Sequence, residues 1–212
     1  MDKSIEMKVE NLAVGRSGVP VLEGISFALA PGQVMVLRGP NGSGKTTLLR
    51  TLAGLQLPMA GSISVPGESI AYGAHADGLK STLSVRENLD FWAKIHAADN
   101  VDEVLERFNL TALADRPAAN LSAGQKRRLG LARLLVSGRA IWLLDEPTVS
   151  LDVASVEIFA QAVRDHVAAG GAALIATHID LRLEADLFDV TDLRADPDGA
   201  TALAGAFDEA FA

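Results

Sequence analysis

The stretch Val34–Leu49, VMVLRGPNGSGKTTLL, constrains this chain more than any other. Val34-Met35-Val36-Leu37 is a short apolar run, long enough for one buried strand. Directly after it, Gly39-Pro40-Asn41-Gly42-Ser43-Gly44-Lys45-Thr46 satisfies G-x-x-x-x-G-K-[ST] at every fixed position. Thr47-Leu48-Leu49-Arg50 then opens a helix. The glycines let the backbone turn sharply and bring its N–H groups close to phosphate oxygens. Lys45 places a mobile positive charge near the outer phosphates, and the Thr46 hydroxyl can ligate Mg²⁺. The new helix aims its N-terminal N–H groups and the positive end of its dipole at the same anion. Lys45 is expected to face solvent, so that its loss would remove phosphate contacts rather than core packing. Strand, loop and helix in this order imply a nucleoside-triphosphate site.

What surrounds that site is bounded by composition. The 212 residues suit one large domain or a core with an inserted subdomain, and 49% apolar residues are ample for a buried interior. The apolar runs Ala140–Leu144 and Gly171–Ala176 are far too short to cross a bilayer. Met1–Glu6 is followed by no apolar h-region, so a cytoplasmic location is expected. With no cysteine, disulfides, thiolate metal sites and cysteine nucleophiles are excluded. A net charge of −8 argues against a broad nucleic-acid surface. The basic run Lys126-Arg127-Arg128 reads as a solvated or interface face of a helix rather than a phosphate-backbone site.

Taken in order, Glu6–Leu12 reads as a first strand, Gly15–Pro20 as a turn cluster, and Ile25–Leu29 as a period-2 strand closed by Pro31-Gly32. After the phosphate loop and its helix come strands at Ser62–Val65 and Ile70–Tyr72. Ser84-Val85-Arg86-Glu87 is a capping box that starts a helix, and the pattern stays helical with short breaks to about Val136. Strand-like runs return at Ile141–Leu144 and Ala172–Ala176, flanking a helix over Ala154–Ala168. A helical stretch is thus inserted between two halves of a strand-rich core. The small, acidic, alanine-rich segment Pro197–Ala212 reads as a loose tail or a short strand and helix.

Two further segments carry chemistry. Ile141-Trp142-Leu143-Leu144 runs into adjacent carboxylates, Asp145 and Glu146, and ligands of parallel sheets bind beyond the carboxyl ends of strands. There Asp145 can hold the Mg²⁺ that Thr46 also ligates, and Glu146 can polarise a water for in-line attack on the γ-phosphorus. Leu121-Ser122-Ala123-Gly124-Gln125 precedes a helix over Lys126–Leu135 and has two readings. Ser122 to Gln125 is a capping box; a serine hydroxyl, a glycine and a helix N-terminus also make a second anion site. With both elements on one chain, a head-to-tail dimer would pinch each triphosphate between them.

Over nearly its whole length the chain resembles ABC-transporter ATP-binding subunits. The resemblance rests on the phosphate loop at Gly39–Thr46, the signature at Leu121–Gln125 and the Walker B strand with its glutamate at Ile141–Glu146. It extends to the D-loop at Val149–Asp152 and to His178 in Ile175-Ala176-Thr177-His178. The resemblance implies an α/β fold: a P-loop NTPase cassette with a RecA-like core, an antiparallel β-subdomain and an inserted helical subdomain. Residues 1–212 would form a single ATP-binding domain, with the core at about 1–77 and 139–195, the helical subdomain at about 78–138 and a C-terminal tail at about 196–212. It implies ATP and Mg²⁺ as cofactors, with Gly39, Pro40, Asn41, Gly42, Ser43, Gly44, Lys45, Thr46 and Thr47 around the phosphates. Ser122, Gly124 and Gln125 would approach from a second protomer. Thr46 and Asp145 would hold the metal, while Glu146, Lys45 and His178 would serve catalysis, His178 by touching the γ-phosphate. Implied partners are that second protomer and transmembrane permease subunits, which would hold the chain peripherally on the cytoplasmic side of the inner membrane; no nucleic acid is implied.

Several departures narrow the family. The adenine-stacking aromatic expected after the first strand is missing from Ala13-Val14-Gly15-Arg16, where Arg16 is the best planar substitute. The usual Q-loop glutamine is absent, and Gly73-Ala74-His75-Ala76-Asp77-Gly78 fills its place. Ala123 replaces the signature's first glycine. The run LSAGQKRR at Leu121–Arg128, His75-Ala76-Asp77-Gly78-Leu79-Lys80 ahead of Ser84–Leu89, and Thr177-His178 in a chain of 212 residues resemble the haem-exporter ATP-binding subunit of bacterial c-type cytochrome maturation. That resemblance implies ATP hydrolysis powering haem export and release of a haem-loaded chaperone. His75, His96 and His166 are scattered and read as structural or surface residues. Rival readings are the motor of another small exporter of lipid, drug or polysaccharide, a soluble ATPase of translation or DNA repair, and a nucleotide-binding module without turnover.

Overall fold

In the computed structural model, residues 6–195 are described; the expected tail, 196–212, lies outside them. Strands β1 (Met7–Arg16) and β2 (Val19–Leu29) form an antiparallel hairpin. Its two-residue connection, Ser17-Gly18, has φ of 52° and 81°, the left-handed pair that a tight primed turn needs. The expected six-residue turn at Gly15–Pro20 is therefore corrected: both strands run into it. Pro20 is tolerated because β2 is an edge of the three-stranded sheet β2-β1-β4, in which β4 is Ala60–Ser64.

The second sheet is parallel, in the order β5-β6-β7-β3-β8. Its members are β3 (Val34–Arg38), β5 (Ile70–Gly73), β6 (Ile141–Asp145), β7 (Ala172–Ala176) and β8 (Asp186–Asp189). Helices α1 (Lys45–Leu52) and α5 (Val153–Ala168) accompany it, and α2 (Val85–His96), α3 (Val101–Arg107) and α4 (Ala123–Ser137) form the helical stretch.

The sheet is apolar on both faces because each face meets a different core. Successive side chains of a strand point to opposite sides. Trp142, Leu144, Ala173 and Ile175 pack with α2, α3 and α4. Ile141, Leu143, Ala172, Leu174 and Ala176 pack with α1 and the β1–β2 hairpin. This two-sided burial explains why the central strands read as unbroken apolar runs.

Parallel register puts three strand ends side by side. Leu37 pairs with Ala176, and Asp145 pairs with Ala176 from the other side. The segments leaving β3, β6 and β7 therefore emerge together at one edge of the sheet.

Candidate active site

The first of those segments is the phosphate loop. Gly44 stands at the start of α1 with φ of 104° and no side-chain cap, so the first N–H groups of the helix remain free to meet an anion. Only glycine fits there, because a Cβ would lie 2.7 Å from Val21 Cγ1 and 3.0 Å from Leu22 Cγ. Ser43 Oγ is buried without a hydrogen-bond partner. Lys45 departs from expectation: it is 8% exposed rather than solvent-facing. Its ammonium donates to the carbonyls of Gly39 at 2.7 Å and Pro40 at 2.9 Å. The loop folds over the helix start, and its own carbonyls take up donors that a long cation would otherwise give to water.

The second segment begins at Asp145, whose side chain is nearly buried at the end of β6. Glu146 follows with φ of 47°, a backbone conformation uncommon for glutamate. The third carries His178, whose Nε2 lies 3.2 Å from Asn41 Oδ1 and 3.5 Å from Glu146 Oε1. One imidazole thus bridges the phosphate loop and the carboxylate. Nearby, burial reinforced by the Asp145 charge pushes the Tyr72 hydroxyl above its ordinary value, so it stays protonated beside the acidic pair.

A cleft of about 780 Å³ gathers the phosphate loop and the two carboxylates, without His178 in its lining, and is of a size suited to a small-molecule ligand. It is lined by Asn41, Gly42, Gly44, Lys45, Thr46, Thr47, Asp145 and Glu146, and also by Arg16. Val21, Arg50 and Gln56 also line it and were not foreseen. Arg50 could have been found, since it sits one helical turn beyond Thr46 on α1. Val21 and Gln56 belong to no motif; Gln56 is held there by a hydrogen bond from its side-chain amide to the Gly15 carbonyl.

The signature segment lies elsewhere. None of Ser122, Gly124 and Gln125 lines the cleft of the same chain. Their capping box is formed: Ser122 Oγ accepts from the Gln125 N–H, and Gln125 Oε1 accepts from the Ser122 N–H. The helix behind it starts at Ala123 rather than Lys126. The reading of Lys126–Arg128 as a solvated or interface face is corrected at Arg127. Arg127 is 5% exposed, and Arg128 donates to the carbonyls of Phe108 and Asn109. Among the remaining histidines, His166 stacks on Trp142 with ring centroids 3.9 Å apart.

The ABC transporter family profile matches residues 22–149, and the chain belongs to that family of ATP-binding proteins. It is accordingly an ATPase, and ATP is its nucleotide. Its relatives are more particular. It is 66% identical to the cytochrome c biogenesis ATP-binding export protein CcmA of Rhodobacter capsulatus, over 97% of this chain and 96% of that protein. It is 56% identical to the protein of the same name from Paracoccus denitrificans, over 97% and 98%. An ABC transporter ATP-binding protein from Pyrococcus furiosus superposes with a TM-score of 0.79 at 25% identity, covering 90% of this chain and all of that one. A second solved ATP-binding subunit, at 23% identity over 94% and 93%, shares the fold with a TM-score of 0.81.

Proposed function

We propose that this chain, as a single ATP-binding domain, is the hydrolysing subunit of an exporter that serves c-type cytochrome biogenesis, with haem handling as the process it powers. One observation carries the site assignment: the phosphate loop, Asp145 and Glu146 line one cleft, and His178, outside that lining, spans Asn41 and Glu146.

The roles follow from position. The open N–H groups at the start of α1 cradle the phosphates, and Lys45 pivots from the Gly39 and Pro40 carbonyls to the outer phosphate oxygens. Thr46 and Asp145 would hold Mg²⁺, which when bound supplies charge neutralisation at the outer phosphates. No trio of His, Asp or Glu suited to a metal exists among the described residues, so the cation's other ligands would be phosphate and water. Glu146 takes a proton from the attacking water. His178 orients Glu146 and touches the γ-phosphate, and Arg16 stacks on the base.

The site of one chain lacks the signature segment, and a second copy supplies Ser122, Gly124 and Gln125 across a head-to-tail interface. Support comes from two exposed apolar residues, Val149, 41% exposed, which opens the D-loop, and Val153, 87% exposed, which follows it. No helix among the described residues is long and apolar enough to cross a membrane. Attachment through permease subunits on the cytoplasmic face of the inner membrane is the reading we adopt.

Lys45→Ala tests the assignment. It is expected to weaken ATP binding by about 10- to 100-fold, the scale of a lost charge-assisted hydrogen bond, and to abolish turnover. The variant is also expected to melt slightly lower, because Nζ ties down two loop carbonyls. Near-parental ATP binding and hydrolysis, measured with the membrane partners present, would overturn the proposal.

A further inference from the structure

Three residues spaced three apart on α4, Arg127, Gly130 and Arg133, run along the 74–78 loop. The Arg127 guanidinium donates in two directions. Toward the end of β6, Nε reaches Pro147 O at 2.8 Å, while Nη2 reaches Glu146 O at 2.7 Å and Asp145 O at 3.3 Å. Toward the loop, Nη1 reaches Ala74 O at 2.9 Å, His75 O at 3.3 Å and Asp77 Oδ1 at 3.1 Å. A turn further, the absence of a side chain on Gly130 permits close approach, since a Cβ would lie 3.1 Å from Asp77 Cβ. Arg133 follows, its guanidinium 4.8 Å from the Trp92 ring centre and directed at Gly78 O.

A buried guanidinium is costly unless its donors are matched, and here all three nitrogens find acceptors. Those acceptors include the backbone on both sides of the Glu146 side chain. Glu146 is held in its left-handed conformation by its own N–H, which donates to Ala176 O at 2.8 Å, and by Arg127 on its carbonyl. A conformation this unfavourable persists only where the surroundings enforce it. Only a planar fork reaches six acceptors in two directions; an ammonium on the same stem would not.

We propose that Arg127 is a positioning residue for hydrolysis. It fixes the backbone that aims Glu146 and ties that backbone to the 74–78 loop, the segment lacking the expected glutamine. A neighbouring subunit that displaces the loop or the signature helix thereby moves Glu146. The inference rests on Glu146 being the group that activates water.

The test uses the assembled complex, with ATP binding, steady-state hydrolysis and thermal melting measured on each variant. Arg127→Lys is expected to bind ATP as the parent does, with KM little changed and kcat lowered about 10- to 100-fold, the scale of a misaimed catalytic group. In a Glu146→Gln background, Arg127→Lys should add almost nothing, because it acts through Glu146. Asp77→Asn leaves all three carbonyl contacts at residues 145–147 in place, and Asp77 is partly exposed, so the fold is not threatened. It should lower kcat about two- to fivefold. Parental kcat in Arg127→Lys, or its full loss repeated on top of Glu146→Gln, overturns the proposal. Should Arg127→Lys fail to fold, a parental kcat in Asp77→Asn overturns the tie to the loop. Failure of the underlying reading is seen in a different variant, as a Glu146→Gln protein that turns over like the parent.

Discussion

Two helices of this chain begin at short segments of small and polar residues, and they begin differently. Helix α1 starts at a left-handed Gly44 with no side-chain cap. Helix α4 starts at Ser122 inside a closed capping box, with Ser122 Oγ 3.3 Å from the Gln125 nitrogen and Gln125 Oε1 2.9 Å from the Ser122 nitrogen. The first helix leaves its donors free for an anion as it stands. The second has already supplied its own acceptor and must trade a hydroxyl for a phosphate oxygen to become one. Helix starts of similar composition therefore differ in readiness. That difference fits the proposed arrangement, in which nucleotide is held through one loop and a second copy supplies the other.

The largest break in that comparison comes from closing the open start. Gly44→Ala forces an alanine to φ near 104° and drives its methyl against Val21 and Leu22. ATP affinity of the single chain should fall about 10- to 100-fold, from roughly 1–3 kcal/mol of backbone strain plus the clash. Titration with a fluorescent ATP analogue reads this, and unchanged affinity would show that the open start is not the anion site. The closed start should behave otherwise. Ser122→Ala removes the cap and should lower stability by about 1 kcal/mol in denaturant unfolding, while single-chain ATP affinity stays at the parental value. Loss of single-chain affinity would mean that the signature reaches its own chain's cleft, and the comparison would collapse.

A smaller effect is expected at Arg16, which also lines the cleft. Arg16→Ala should weaken ATP binding by about 1 kcal/mol or less, with Arg16→Tyr restoring it. Identical binding in Arg16→Ala would leave Arg16 as a charge at the cleft rim.

The smallest effect lies far from both helix starts. Burial against Trp142 holds the His166 imidazole below its ordinary value of 6.5, and burial lowers His96 as well. The unfolded chain takes these protons first, so their contribution to stability is full above the unfolded value. It is lost as pH falls through the lowered folded value. His166→Gln should flatten the decline in melting temperature between about pH 7.5 and 5.5, leaving the part due to His96. An unaltered slope would remove His166 from the account.

Legibility in the sequence followed the number of buried faces. The strands β3, β6 and β7 are covered on both sides and wrote themselves as apolar runs. The edge strand β8, Asp186-Leu187-Phe188-Asp189, did not, because Leu187 is 72% exposed and Phe188 finds its partner in Phe27, far away in the chain. The phosphate loop was legible because a fixed spacing of glycines, lysine and threonine has few other uses. Arg127 was not: in sequence it is one of three consecutive basic residues, and only its burial beneath carbonyls from two distant loops sets it apart. Lys45 lines the cleft but is not solvent-facing as the motif suggests, since nothing in the motif says that the Gly39 and Pro40 carbonyls fold back onto its ammonium.

Glu146 decides the central claim, that ATP held by the open loop is hydrolysed by the carboxylate beside it. Glu146→Gln keeps the size and hydrogen-bonding shape of the side chain but removes the base. Phosphate release and gel filtration with and without Mg-ATP should be measured together on this variant in the complex. The account predicts that nucleotide is retained, that phosphate release falls about 10²- to 10⁴-fold, and that a stable ATP-dependent dimer accumulates. Phosphate release at the parental rate would contradict it.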